Sequence, residues 1–360
     1  MSKNITSKQT KIAEFDPNSF AANDTNVFGL PFTEDESDVV LIPVPWEVTV
    51  SYGSGTANGP DAIYEASKQV DLYYPEFPEG WKQGFFMAET PKRLHKLSTK
   101  LRSKTEKYLN LLFDGKIGKH TEKLREAVNA GCEEMITHVQ EETASRVKEG
   151  KLVGLVGGDH STPLGFMKTL EAQHGKFSVL QIDAHADLRD AYEGFEYSHA
   201  SIMFNALKIK GIERLVQVGI RDFCEAEANI IKNSKGRVHT VFYSEIGFGK
   251  AEGTPFAKLI ESAVDKLGDK VYISFDIDGL DPRYCPNTGT PVPGGLEFDE
   301  AVYLIRAVVK SGREIIGFDL NEVSPGNDEW DANVGARMLF HLCNLASLSR
   351  KKPAAKSKKK

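Results

Sequence analysis

The stretch Phe177-Ser178-Val179-Leu180-Gln181-Ile182-Asp183-Ala184-His185-Ala186-Asp187 reads as a buried strand that ends in a cluster of acids and a histidine. Its first half is almost wholly apolar, the pattern of a strand covered on both faces of a parallel sheet. Its end alternates Asp, Ala, His, Ala, Asp. In an extended backbone positions i, i+2 and i+4 project to one side, so Asp183, His185 and Asp187 are expected to converge. Ionised carboxylates in such a place are costly unless paired or bound to a cation. A structural salt-bridge network is the plainer alternative.

The same grammar recurs on either side of this run. Strands are predicted at Val39 to Val44, Leu152 to Gly157, Phe177 to Asp183, Leu215 to Ile220, Val238 to Ser244, Lys270 to Asp278 and Glu314 to Leu320, with an eighth around Gly84 to Met87. Between them lie segments with apolar residues at three- and four-residue spacing and charges between, such as HTEKLREAVNAGCEEMITHVQEETASRVKEG and PFAKLIESAVDKLG, which read as surface helices. A β-then-α rhythm predicts an α/β fold with a mostly parallel sheet, and ligands in such folds sit beyond the carboxyl ends of the strands.

Two further strand ends carry chemistry. Leu152 to Gly157 runs into Gly157-Gly158-Asp159-His160-Ser161, where glycines permit a tight turn before His160; a helix start capped by Asp159 or Ser161 accounts for the same residues. Lys270 to Asp278 delivers Asp276 and Asp278 to one face. Like charges this close raise each other's pKa unless a cation lies between them. His160, Asp183, His185, Asp187, Asp276 and Asp278 are together enough to hold two metals. Four carboxylates, two imidazoles and no thiolate suit a hard or borderline ion such as Mn2+, and Ni2+, Co2+ or Fe2+ also bind such a set.

Composition narrows the class. The 360 residues are 40% hydrophobic and 27% charged with a net charge of −6, ample for a large core. No internal basic-aromatic cluster suggests a nucleic-acid groove, so no nucleic-acid partner is expected. No apolar run reaches the roughly 18 residues of a membrane span, and the first residues lack a secretory pattern. Cys132, Cys224, Cys285 and Cys343 are scattered, which fits a reducing cytoplasm. Residues 1–37 read as a polar arm, 38–349 as one catalytic domain without repeats, and 350–360, with Arg350 and six lysines, as a disordered tail.

The motifs GGDHS, DAHADLR and SFDIDGLDP, with the later FDLNEVSP, resemble the ureohydrolase family of arginases, agmatinases and formimidoylglutamases over about Asp38 to Ser347. The resemblance implies a three-layer α/β/α fold around an eight-stranded parallel sheet and a two-manganese centre. It implies that His160, Asp183, Asp187 and Asp276 hold one ion and Asp183, His185, Asp276 and Asp278 the other, with Asp183 and Asp276 bridging. His199, in Tyr197-Ser198-His199-Ala200-Ser201, resembles the family's proton shuttle. Glu322 resembles the carboxylate that grips the guanidinium, and Asp319 is kept as a supporting residue. Relatives are usually trimers or hexamers, so a homo-oligomer is implied.

The implied reaction is attack of an acidified water on a guanidinium carbon, releasing urea and an amine. The stretch Leu188 to Tyr197 is acidic and lacks the Asn- and Ser-containing pattern of arginases, so it looks more like the agmatinase branch, which turns agmatine into putrescine and urea. Asp190, Glu193 and Glu196 suit a cationic distal amine. Arg189 instead suits a substrate carboxylate. Met203-Phe204-Asn205 and the loop Trp46 to Gly55 depart from the agmatinase pattern, and guanidinobutyrate, guanidine, arginine and formimidoylglutamate stay open as substrates. A catalytically silent metal-binding relative is the reading from another class. The presence of every matched ligand position, with His199 and Glu322, argues against it.

Overall fold

A computed structural model describes residues 7–19, 21, 25–50 and 52–351. Eight strands form one sheet: β1 (Val39–Val44), β2 (Phe85–Met87), β3 (Leu152–Gly157), β4 (Phe177–Ile182), β5 (Ile212–Ile220), β6 (Val238–Phe242), β7 (Lys270–Asp276) and β8 (Glu314–Asn321). Their order is β2-β1-β3-β8-β7-β4-β5-β6 and every neighbouring pair is parallel. Parallel neighbours need crossovers, and helices supply them on both faces.

Alternation along the strands builds three layers. Leu152 and Val156 of β3, Leu180 and Ile182 of β4, and Val271, Ile273 and Phe275 of β7 share one core with helices Gly59–Ser67, Phe298–Lys310 and Trp330–Ser349. Val153 and Leu155, Phe177 and Val179, and Tyr272 face the other, with helices Lys92–Phe113, Lys119–Lys148 and Leu164–His174. Helix Lys119–Lys148 buries Val128, Cys132, Met135, Ile136, Val139 and Val147 and leaves its charges to solvent, as its spacing predicts. Each fully buried Phe or Ile of these layers contributes roughly 1.5–3 kcal/mol relative to exposure.

Some expectations are revised. β5 begins at Ile212, ahead of Leu215, because the exposed Glu213 and Arg214 interrupt the apolar pattern but not the strand. Strand β6 stops at Phe242, since Glu245 accepts from the Phe242 amide and starts helix Tyr243–Ala251 over residues read as strand. The segment PFAKLIESAVDKLG is two short helices, Phe256–Leu259 and Glu261–Lys266, meeting at the buried Ile260.

The segment read as an arm is core in its second half. Val27, Phe28, Leu30 and Phe32 are buried, and the Phe28 ring meets Phe340 and Phe85 at centroid distances of 5.1 and 5.8 Å. Phe28 reaches that position through a left-handed backbone, φ 58°, which no periodicity signals. Helix Ser7–Glu14 buries no residue and is held from outside by Lys11 on Glu36 at 2.6 Å. The lysine-rich tail falls on 352–360, outside the described residues, but Arg350 donates to Gly150 O and Lys351 lies over the Phe77 ring. Among the described residues no helix is long and apolar enough to cross a membrane.

Candidate metal centre and active site

Strands β3, β8, β7 and β4 stand side by side at the middle of the sheet, and their carboxyl ends supply the site. At β3, Gly158 lies so close to the preceding loop that a Cβ there would sit 1.9 Å from Trp46 O. Only glycine permits that approach, which is locked by Asp159 N donating to Trp46 O at 2.8 Å. Asp159 does not cap a helix. Its carboxylate accepts from Ser161 and from Val48 N, tying the turn to the loop after β1, and helix Leu164–His174 starts after Pro163 without a side-chain cap. His160 is thereby turned inward and buried.

The trio after β4 converges by a different route from plain strand alternation. The strand ends at Ile182, the Asp183 carboxylate accepts from His185 N at 2.7 Å, and Asp187 adopts a left-handed φ of 53°. A short polar side chain bonding the backbone two residues on is a turn former, and it swings His185 and Asp187 back over the strand end. The Asp187 carbonyl accepts from Met203 N and Phe204 N, which stabilises the unusual conformation. Likewise β7 ends at Asp276, whose Oδ1 accepts from Asp278 N at 2.9 Å and starts the 3-10 turn Ile277–Gly279. Arg221, which no sequence signal singles out, donates to the carbonyls of Asp278, Leu280 and Val292 and clamps this turn.

Two donor groups result. His160 Nδ1 lies 3.0 Å from Asp183 Oδ2, 3.0 Å from Asp187 Oδ2 and 3.2 Å from Asp276 Oδ2. His185 Nδ1 lies 3.1 Å from Asp278 Oδ2 and 3.7 Å from Asp183 Oδ1. His160, Asp183 and Asp276 have the spacing of a metal cage, as do Asp183, His185 and Asp278; Asp183 belongs to both, and Asp187 adjoins the first through His160 Nδ1. His160 Nδ1 is buried and makes no hydrogen bond, while Nε2 bonds Ser274 Oγ at 2.9 Å. Because Ser274 Oγ donates to Asp319 Oδ1, it accepts from the His160 ring, so Nε2 carries a proton and Nδ1 is the nitrogen that faces three carboxylates. That arrangement is repulsive without a cation at its focus. The residues fit a dinuclear metal centre.

The electrostatics agree. Burial, then the Asp278 and Asp183 charges, pushes Asp276 well above the usual carboxylate range, and burial with Asp183 pushes Asp187 to about 7. Burial alone would favour neutral imidazoles, yet the carboxylates outweigh it and raise His160 and His185 well above their usual value. In the cage, protons do the work that divalent cations do better.

Glu322 follows β8 in a left-handed conformation, φ 63°, and is buried. Its N donates to Gly158 O at 2.8 Å and its Oε1 accepts from His160 N at 2.8 Å. Burial, then Asp159, pushes its pKa well up. His199 opens a 3-10 turn capped by Ser198; its N donates to Thr49 Oγ1 and its ring meets Tyr192 edge to face. Burial, then the positive charges of His185 and His160, lowers its pKa to about 3.

The loop between carries the specificity candidates. Asp190 is exposed, and Glu196 is exposed with Lys208 at 3.7 Å. Glu193 is half-buried at φ 52°, and its Oε2 has no hydrogen-bond partner. Arg189 lies over the Tyr192 ring at 4.7 Å and 3.7 Å from Glu227. Gln181 and Ser274 carry no motif of their own, but each is a buried polar residue two before a candidate ligand on a mostly apolar strand and so faces the same way.

Fold and site together define a three-layer α/β protein with a candidate metal cage at the carboxyl edge of its parallel sheet. The chain belongs to the arginase family, whose model matches residues 37–344, and it is a hydrolase of guanidino C–N bonds. It is 30% identical over 321 residues to the N(1)-aminopropylagmatine ureohydrolase of Thermus thermophilus, covering 87% of this chain and 92% of that one. It is also 30% identical over 337 residues to the agmatinase of Neisseria meningitidis, covering 91% and 94%. The agmatine ureohydrolase of Thermoplasma volcanium shares the fold with a TM-score of 0.67 at 23% identity, covering 94% and 97% of the two chains.

Proposed function

We propose that the chain splits urea from a guanidino compound with a cationic tail, agmatine or its aminopropyl derivative, and works with two Mn2+ in the cytoplasm as a homo-oligomer. The observation that carries the reading is Asp183 shared between two imidazole-carboxylate groups, with Glu322 seated against one of them. Likeness to relatives named for agmatine and aminopropylagmatine supports the tail. The four free cysteines fit a reducing compartment.

His160, Asp183, Asp187 and Asp276 would hold one ion, and Asp183, His185, Asp276 and Asp278 the other. Bound there, the pair supplies an acidified water as nucleophile at neutral pH. Glu322 keeps Oε2 free of His160 N and binds the planar guanidinium through it, setting the carbon at the cage. As water oxygen adds to that carbon, the neutral His199 ring takes up the proton the water sheds and passes it to the alkyl nitrogen as the C–N bond breaks. Agmatine then yields urea and putrescine; the aminopropyl form yields urea and the corresponding triamine. The half-buried carboxylate of Glu193 faces the charge of the tail, with Asp190 and Glu196 further out.

The test is urea release by the Mn2+-loaded chain from agmatine, aminopropylagmatine, arginine, guanidinobutyrate and guanidine, with formamide scored on formimidoylglutamate. The first two are expected to exceed the others in kcat/KM by at least about tenfold, or 1.4 kcal/mol in the transition state. Preference for a carboxylate-bearing substrate overturns the cationic tail. No turnover of any of them leaves a silent relative.

A further inference from the structure

A row of polar side chains crosses the buried sheet one level below the metal cage. Gln181 on β4 is in register with Gln217 on β5, and Gln217 with Thr240 on β6. Both glutamines are fully buried where a parallel sheet ordinarily places Val or Ile. Thr240 Oγ1 bonds Gln217 Oε1 at 2.7 Å; Gln217 Nε2 donates to Gln181 Oε1 at 2.7 Å and to Ala186 O at 2.8 Å. Gln181 Nε2 in turn donates to Asp183 Oδ2 at 2.8 Å and to His185 O at 3.1 Å.

The direction of this row is forced. A carboxylate and a backbone carbonyl only accept, so the amide nitrogen of Gln181 has to face the Asp183–His185 turn, and its oxygen has to face Gln217. Gln217 is oriented by the Ala186 carbonyl in the same way, which leaves its oxygen to be satisfied by the Thr240 hydroxyl. Neither amide flips without setting acceptor against acceptor. Every hydrogen bond therefore runs from β6 toward the turn that bears Asp183, His185 and Asp187. In a buried setting such a chain strengthens along its length and holds one geometry.

We infer that Gln217 and Thr240, two and three strands from β7 and outside the cage, are positioning residues for the metal centre, holding the Asp183–Asp187 turn through Gln181. The inference rests on the reading of Asp183, His185 and Asp187 as ligands. Removing the hydroxyl of Thr240 leaves a buried amide oxygen unmatched and frees Gln217 to rotate; removing the Gln217 amide also releases the Ala186 carbonyl between two ligands.

The test is titration of the metal-free full-length chain with Mn2+ alone, alongside its thermal unfolding. Gln217→Met is expected to weaken Mn2+ binding about tenfold, the size of effect that ligand-supporting groups have. Thr240→Val should weaken it by about threefold, and Thr240→Ser, which restores the hydroxyl, should match the parent. Should Gln217→Met fail to fold, the Thr240 pair decides on the same terms. Folded variants that bind Mn2+ within about twofold of the parent overturn the inference, as does equal weakening in Thr240→Val and Thr240→Ser. A parent chain that takes up no Mn2+ overturns the metal-centre reading and this inference with it; variants matching a parent that binds overturn this inference alone.

Discussion

The main-chain amide of His160 donates to Glu322 Oε1 over 2.8 Å, so the residue proposed to hold the substrate is seated on a residue proposed to hold a metal. Glu322 N also donates to Gly158 O, which ties the end of β8 to the turn after β3. Glu322→Gln keeps an oxygen for the His160 amide and removes the charge that meets a guanidinium. It is expected to retain its metal while kcat/KM falls roughly 100-fold, about 2.7 kcal/mol of lost charge-assisted binding. Metal content by elemental analysis and initial rates of urea release check this; an unchanged kcat/KM contradicts the clamp.

His199 and Asp183 separate proton transfer from metal binding. His199 bonds to the protein through its own backbone and the Ser198 hydroxyl rather than through the cage. His199→Ala should lower kcat by about 10²–10⁴, the usual contribution of a general acid, with full metal content. Asp183→Ala removes the carboxylate common to both donor groups and should lose metal as well as activity. Equal metal loss in the two variants contradicts the assignment of roles.

The strand ends were legible because desolvation makes acidic residues at the close of an apolar run hard to explain otherwise. The strands themselves stand out as apolar runs, and the acids that close two of them, after β4 and β7, are what desolvation makes hard to read as packing. What the periodicity did not reveal is how the cage closes. Asp187 and Glu322 both have positive φ, and Asp183 and Asp276 both bond a backbone amide two residues on, so the site residues meet through turns that follow the strands. Local side-chain to backbone bonds carry no periodic signal. Phe28 escaped for the same reason. Gln181 and Ser274 are polar breaks in mostly apolar strands; Gln181 meets Asp183 two residues on, whereas Ser274 meets Asp319 only through the register of β7 against β8.

Gly158→Ala tests the close approach that points His160 inward. Its Cβ would run into the Trp46 backbone, at O, C and N, so no side chain can move aside to relieve it. The variant should lose about 3 kcal/mol of stability, the upper end of an overpacking penalty, and bind Mn2+ more weakly because the β3 turn shifts. Urea denaturation of the metal-free chain measures the first effect; a variant as stable as the parent contradicts the contact.

His341 lies far along the chain from the proposed ligands, on helix Trp330–Ser349 among Tyr74 and Phe298, with Nδ1 3.2 Å from the Tyr74 hydroxyl. Burial lowers its pKa from 6.5 to about 4, against a small opposing pull from Asp299. Below pH 6.5 the unfolded chain binds a proton there that the fold refuses. The stability due to the neutral ring is therefore complete above pH 6.5, is lost as pH falls from 6.5 to 4, and totals about 3 kcal/mol. Between pH 7 and pH 5 the parent should lose about 2 kcal/mol more than His341→Asn, a variant that cannot titrate. Unfolding free energies of the metal-free proteins from urea denaturation at the two pH values give that difference directly. Equal losses would mean that the ring is protonated in the fold, and that the Tyr74 hydroxyl then accepts from Nδ1 instead of donating to it.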